Sequence, residues 1–118
     1  MARVALVCEP DLLFSSGIES AARKHGFDVQ LTTTISDLAK RLDEGKPDIV
    51  IVSLDSMGSV DALSGRVGSS GCPFVGYYSH VDTKLAEEAK RAGFDTVLPR
   101  RAFVVKLNDL LAAVKLGG

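Results

Sequence analysis

The side chains in this sequence that could do chemistry are few and widely spaced. Cys8 and Glu9 are adjacent, Asp55 follows Ser53 by two positions, His80 follows Ser79, and Arg100 and Arg101 are consecutive. Cys8, Glu9, Asp55 and His80 together offer a thiolate, two carboxylates and an imidazole, a set that transition metals accept. No Cys-x-x-Cys or His-x-x-x-His pair makes that set local, and a metal site built from such distant residues is not the expectation. The arginine pair could grip a phosphate or a carboxylate through forked N–H donors. The plainer expectation is an exposed pair satisfied by neighbouring Asp or Glu. Gly58, Gly65 and Gly68 do not form a dinucleotide fingerprint, and neither a phosphate-binding loop nor a G-x-S-x-G nucleophile elbow occurs. His25 falls near the end of a helical segment, where an imidazole complements the helix C-terminus.

Composition narrows the classes. A chain of 118 residues is the size of one domain, and 46% apolar with 25% charged residues is the balance of an ordinary globular protein. A formal net charge of −1 gives no general attraction to nucleic acid or to an anionic membrane. No apolar run approaches the roughly 18 residues needed to cross a bilayer, and Val4 to Val7 is too short for a signal-peptide core. A cytoplasmic protein is expected. Two cysteines, Cys8 and Cys72, make no disulfide framework and read as small buried residues.

The elements that would position these side chains alternate regularly. Apolar runs at Val4–Val7, Val29–Thr32, Ile49–Val52, Phe74–Tyr78 and Thr96–Leu98 read as strands. The third is continuous and β-branched, as a strand covered on both faces should be. Between the runs lie helical patterns. Segment 11–25 places Leu13, Ile18, Ala21 and Ala22 near helical spacing, with Gly26 beyond its end. Segment 35–44 carries Ile35, Leu38, Ala39 and Leu42, opened by Thr34 with Asp37 and stopped by Gly45 and Pro47. Segment 83–92 carries Leu85, Ala86 and Ala89 after Asp82 as N-cap, and segment 103–115 aligns Val104, Leu107, Leu111 and Val114. Segment 59–70 is weak: Gly65 and Gly68 interrupt Val60, Leu63 and Val67, so a short or partly unwound helix is expected.

Strands alternating with helices over short loops imply right-handed crossovers and a parallel sheet. Five strands fit the flavodoxin-like order 2-1-3-4-5 in a single α/β domain spanning 1–118, with helices on both faces and ligands held at the carboxyl edge. Cys8 belongs to that edge and Cys72 to the opposite one, which forbids a disulfide between them. Tyr77 and Tyr78 are adjacent on one strand and must face opposite layers.

Three stretches carry a family resemblance that covers essentially the whole chain. Arg3 to Asp11, Pro47 to Asp55 and Gly93 to Arg100 resemble, in order and spacing, the first-, third- and fifth-strand motifs of the response-regulator receiver domain of two-component signalling. The resemblance implies the CheY-like fold, a phosphoacceptor aspartate, an acid pair holding Mg²⁺, a hydroxyl and a lysine. This sequence departs at four of those five roles. Counting from Pro47, the acceptor position holds Ser53; the acid pair is Cys8 and Glu9; the hydroxyl position falls on Tyr78, beside Ser79; and the lysine position holds Arg100. A serine hydroxyl needs a base to attack where an ionised carboxylate does not, and one carboxylate is a poor magnesium site. The expectation is therefore a degenerate pocket, with no cofactor and no enzymatic activity.

The functional reading that follows is a pseudo-receiver, a signalling module that binds a protein partner without aspartyl phosphorylation. In the family, helix 4, strand 5 and helix 5 form the face that docks or dimerises. Here that face would present Lys84, Glu87, Glu88, Arg91, Arg100, Arg101, Lys106 and Asn108, with a homodimer as one use of it. The alternatives are an unusual receiver that binds Mg²⁺ through Glu9 and Asp55, or a flavodoxin-like domain that binds a small anion at Arg100 and Arg101. In the first, strand alternation past Ser53 would bring Asp55 to the acceptor's side.

Overall fold

The structure is a computed structural model, and it describes residues 3–56, 60–63, 65–67, 71–79 and 83–114. His80, Asp82, Gly58 and Gly68 lie outside the described residues. The strands are β1 (Arg3–Cys8), β2 (Phe27–Thr32), β3 (Ile49–Ser53), β4 (Phe74–Tyr78) and β5 (Thr96–Pro99), and all pair in parallel in the order β2-β1-β3-β4-β5. The expected topology is the observed one. The helices are α1 (Leu12–Lys24), α2 (Ile35–Glu44), α3 (Thr83–Ala92) and α4 (Arg100–Ala112). Among its described residues the weak third segment supplies a 3-10 turn at Val60–Leu63, so the family's fourth and fifth helices correspond to α3 and α4 here.

Strand alternation sorts the core into two layers. Ala5, Val7, Ile49, Ile51, Val75 and Tyr77 face α1 and α4, where Ile18, Ala22, Phe103, Leu107 and Leu111 cover them. Leu6, Cys8, Val50, Val52 and Phe74 face the other way, onto Leu38 of α2, Leu63 and Ala89 of α3. All five residues of β3 are buried, which is what a central strand with two covered faces requires. Asp11 caps α1, accepting from the Leu13 and Phe14 amides at 3.0 and 3.4 Å, and Thr34 caps α2, accepting from the Asp37 amide at 3.1 Å. Gly26 and Gly93 end α1 and α3 at φ 85° and 110°, a region only glycine enters without strain.

Two helix faces differ from expectation. Leu13 is 88% exposed, and Ser15, Ile18 and Ala22 form the buried stripe of α1 instead. Leu13 lies five residues before Ile18, about 140° away around the helix. In α4 the buried stripe is Phe103, Leu107 and Leu111, while Val104 is 53% exposed. The helix also begins three residues earlier than expected, at Arg100 directly after Pro99, which places both arginines in its first turn.

One interaction across the fold has no sequence signature. Arg3 donates from Nη1 to the Val114 carbonyl at 2.9 Å and from Nη2 to the His25 carbonyl, with its guanidinium 4.3 Å from the Phe27 ring centroid. One cation thus serves the C-terminal ends of α1 and α4, where orphan carbonyls and the helix dipoles both favour positive charge. Gly76 of β4 is fixed for another reason: an added Cβ would meet Cγ, Cδ1 and Cδ2 of Leu54 at 3.0 Å.

Two stability predictions follow from these contacts. Arg3→Met should lower unfolding free energy by about 1–3 kcal/mol in chemical denaturation, because it strips hydrogen bonds made by a charged donor. Gly76→Ala should cost about 1–3 kcal/mol through overpacking against Leu54, and Leu54→Ala in the same chain should recover part of the Gly76→Ala cost.

Candidate functional site at the carboxyl edge

The edge is assembled from the ends of β1, β3, β4 and β5. Cys8, the last residue of β1, is fully buried and packs in the α2–α3 layer, so its thiol joins the core. Burial pushes that thiol above its ordinary pKa, and Glu9 and Asp37 add to the shift while a hydrogen bond with Thr32 opposes it. Glu9, one residue on, is only 5% exposed, and its amide donates to the Thr32 carbonyl at 3.0 Å.

A buried carboxylate needs donors, and Glu9 has two. The Tyr77 hydroxyl donates to Oε1 at 2.6 Å, and the Asp11 amide donates to Oε2 at 3.0 Å. Tyr77 is itself buried, its ring stacked on Phe103 at 4.4 Å and tilted against Phe14 at 5.3 Å. Burial first, and then the hydrogen bond to Glu9, hold its phenol far above the ordinary value, so it remains a proton donor. Arg100 lays its guanidinium 3.7 Å from the Phe14 ring centroid, a cation–π contact at the rim of this cluster.

Ser53 ends β3 buried, with its hydroxyl accepting from Ser56 Oγ at 3.2 Å. The chain then leaves the strand for a 3-10 turn, Leu54–Ser56, so strand alternation does not relate Asp55 to Ser53. Asp55 is exposed and accepts from the Ser79 amide at 2.7 Å, tying the turn to the end of β4. Tyr78 is half-buried and packs with the opposite layer from Tyr77, as alternation requires. Of the expected pocket residues, the structure joins Ser53 to Ser56 and Asp55 to Ser79, and it ties Glu9 to Tyr77. Tyr77 is the partner that sequence reasoning missed. Its inward side was legible from alternation with Val75, but its bond to Glu9 spans 68 positions of sequence.

Beside the edge, Tyr78, Ser79, Pro99, Arg100, Arg101, Val104 and Val105 line a groove of about 730 Å³. Val104 and Val105 stand exposed there, and the first turn of α4 contains no acid and no side-chain cap. Contrary to expectation, no carboxylate of the described residues lies within ion-pair distance of Arg100 or Arg101. On α3, Lys84, Glu87, Glu88 and Arg91 are exposed, and Arg91 approaches Glu87 at 3.9 Å. Lys106 is exposed on α4, whereas Asn108 is hydrogen-bonded to His25 Nε2 at 3.1 Å, toward α1 rather than α3.

No protein-family model matches the sequence, and a search of curated proteins finds no match. Solved structures do match. A CheY-like receiver domain protein from Methanospirillum hungatei JF-1 superposes over all of both chains with a TM-score of 0.81 at 12% identity. The chain has the fold of a response-regulator receiver domain. The chemotaxis response regulator CheY4 of Vibrio cholerae gives a TM-score of 0.79 at 12% identity, covering 98% of this chain and 100% of that one. A receiver domain of a Pseudomonas aeruginosa PAO1 sensor histidine kinase, solved with magnesium coordinated in its active-site cleft, gives 0.78 at 13% identity over 97% and 98%.

The receiver fold raises the question of that cation. Magnesium takes oxygen ligands in near-octahedral geometry, usually with one or two carboxylates. Here Cys8 is turned into the core, Ser53 is a neutral hydroxyl, and both oxygens of Glu9 already accept hydrogen bonds. Among the described residues no group of three or more His, Cys, Asp or Glu side chains gathers as a metal site. The two carboxylates that the Mg²⁺ alternative would use are engaged separately, Glu9 by the Tyr77 hydroxyl and the Asp11 amide and Asp55 by the Ser79 amide.

The buried thiol and phenol predict an alkaline limit to stability. Both groups are held neutral in the fold, so stability is intact below their ordinary values of 9.0 and 10.0 and declines as pH rises past them. Denaturant midpoints should fall steadily above about pH 9, with Cys8→Ala flattening the lower part of the decline and Tyr77→Phe the upper part.

Proposed function

We propose that this chain is a pseudo-receiver, a non-enzymatic signalling module whose surface is read by a protein partner without aspartyl phosphorylation. The observation that carries the proposal is the acceptor position, where Ser53 presents a buried neutral hydroxyl engaged with Ser56. Among the described residues no general base is hydrogen-bonded to that hydroxyl, and nucleophilic attack by serine requires one. The cofactor-free reading is supported by the donors already held on Glu9. One of the similar structures is described as an atypical orphan response regulator with a phosphorylation-independent regulatory mechanism (TM-score 0.69, 20% identity, 93% of this chain and 96% of that one).

The surface for the partner is the α3–β5–α4 face with its groove. Exposed Val104 and Val105 supply apolar contact, and Arg101 with the α3 charges supplies a polar rim, the usual anatomy of a specific, reversible interface. A second copy of the chain on this face is one form such a partner takes. The reading includes a cytoplasmic setting and no role in nucleic-acid or membrane binding. No helix of the described residues is long and apolar enough to span a bilayer.

The test is incubation with acetyl phosphate, or with beryllofluoride, in the presence of Mg²⁺. The expected result is an unchanged intact mass and unchanged amide spectra. A mass gain of one phosphoryl group that disappears in Asp55→Asn would replace this reading with that of an unusual phosphorylatable receiver.

A further inference from the structure

Glu9 poses a problem that its surroundings solve without an ion. An ionised carboxylate at 5% exposure is costly unless its oxygens are satisfied. Arg100 stacks on Phe14 and makes no ion pair with Glu9, although its charge reaches the Tyr77 hydroxyl and partly offsets the rise in that phenol's pKa. The donors are the Asp11 amide, which belongs to the start of α1, and the Tyr77 hydroxyl, which arrives from β4. The bond from Tyr77, at 2.6 Å, is the shorter of the two.

The ring that carries this hydroxyl also holds a helix. Tyr77 stacks on Phe103 with an interplanar angle of 19°, and Phe103 is the residue before Val104 in α4. Phe14 touches both rings, at 5.3 Å from Tyr77 and 6.2 Å from Phe103, and receives Arg100 on its face. The carboxylate at the edge and the groove on α4 are therefore separated by two side chains in direct contact, Tyr77 and Phe103.

We infer that Tyr77 is a positioning residue that takes the place of a cation at Glu9 and, through its stack on Phe103, fixes the first turns of α4 and so the shape of the groove. This rests on the phosphorylation-independent reading and adds to it how the docking face is held in one state with no ligand at the edge. The phenolic proton on Oε1 neutralises the carboxylate's demand for a donor. The aromatic stack transmits that anchorage to the helix bearing Arg101, Val104 and Val105.

The test is a mutant cycle on the full chain, read by amide hydrogen exchange along α4 and by the Val104 and Val105 methyl resonances. Tyr77→Phe keeps the ring and loses the hydroxyl; it should speed exchange in the first half of α4 by about tenfold and move both methyl signals, while β3 amides stay protected. Glu9→Ala should do the same, and the double variant should go no further than either single one. Glu9→Gln, whose carbonyl still accepts from the phenol, should retain most of the wild-type pattern and serves the cycle if Glu9→Ala unfolds. Wild-type exchange and methyl positions in Tyr77→Phe would reduce Tyr77 to a core ring, and strictly additive effects would show that Tyr77 and Glu9 act separately. Either result overturns the inference. So would movement of the Val104 and Val105 signals on adding millimolar Mg²⁺ to the wild-type protein. A phosphoryl mass gain, by contrast, would defeat the functional reading while leaving the outcome of the cycle as it stands.

Discussion

Burial of a carboxylate where a parallel sheet ends constrains everything around it. At Glu9 the backbone has just left β1, and the side chain lies under the start of α1 and beside the end of β4. With only 5% of the residue exposed, the oxygens depend on protein donors, and a donor that is itself buried must stay protonated. Tyrosine meets both demands, since desolvation and the neighbouring carboxylate each raise its pKa. The same phenol needs a flat partner for its ring, which Phe103 and Phe14 provide. One polar requirement thus organises the meeting of α1, β4 and α4.

The receiver fold is reached here by a sequence unlike those of the structures it matches. Similar structures share 12% to 22% identity with it yet superpose over most of their length. What they share is a pattern, five apolar strands alternating with amphipathic helices, and many sequences satisfy that pattern. The chemistry depends on a few side chains at the strand ends, where substitution leaves the core untouched. Ser53 and Cys8 show how small the change is. Each is of modest size and buried at the end of a strand, at a position where the resemblance implies an acid.

The groove beside the edge shows how helix phase creates a surface. Had α4 begun at residue 103, its arginines would have belonged to a loop. The helix starts at Arg100, and its rotation about its axis turns Phe103, Leu107 and Leu111 inward and Val104 and Val105 outward. Cations in the first turn of a helix oppose its dipole. Their placement there, with no carboxylate of the described residues in ion-pair range, gives the face a net demand for negative charge.

Periodicity and turn residues in the sequence were enough to determine the strand order, the bounds of α2 and α3 and the separation of the two cysteines. These are local features, or consequences of right-handed crossovers between local features. Tertiary structure alone decided that Tyr77 binds Glu9, that Arg3 serves two helix ends, that Asp55 turns to the Ser79 amide and that Leu13 and Val104 face outward. Each of those outcomes depends on where the chain leaves a strand or enters a helix. A shift of one residue there redirects a side chain by about 100° in a helix or to the other face of a sheet, and no run of neighbouring residues records which partner it will then meet.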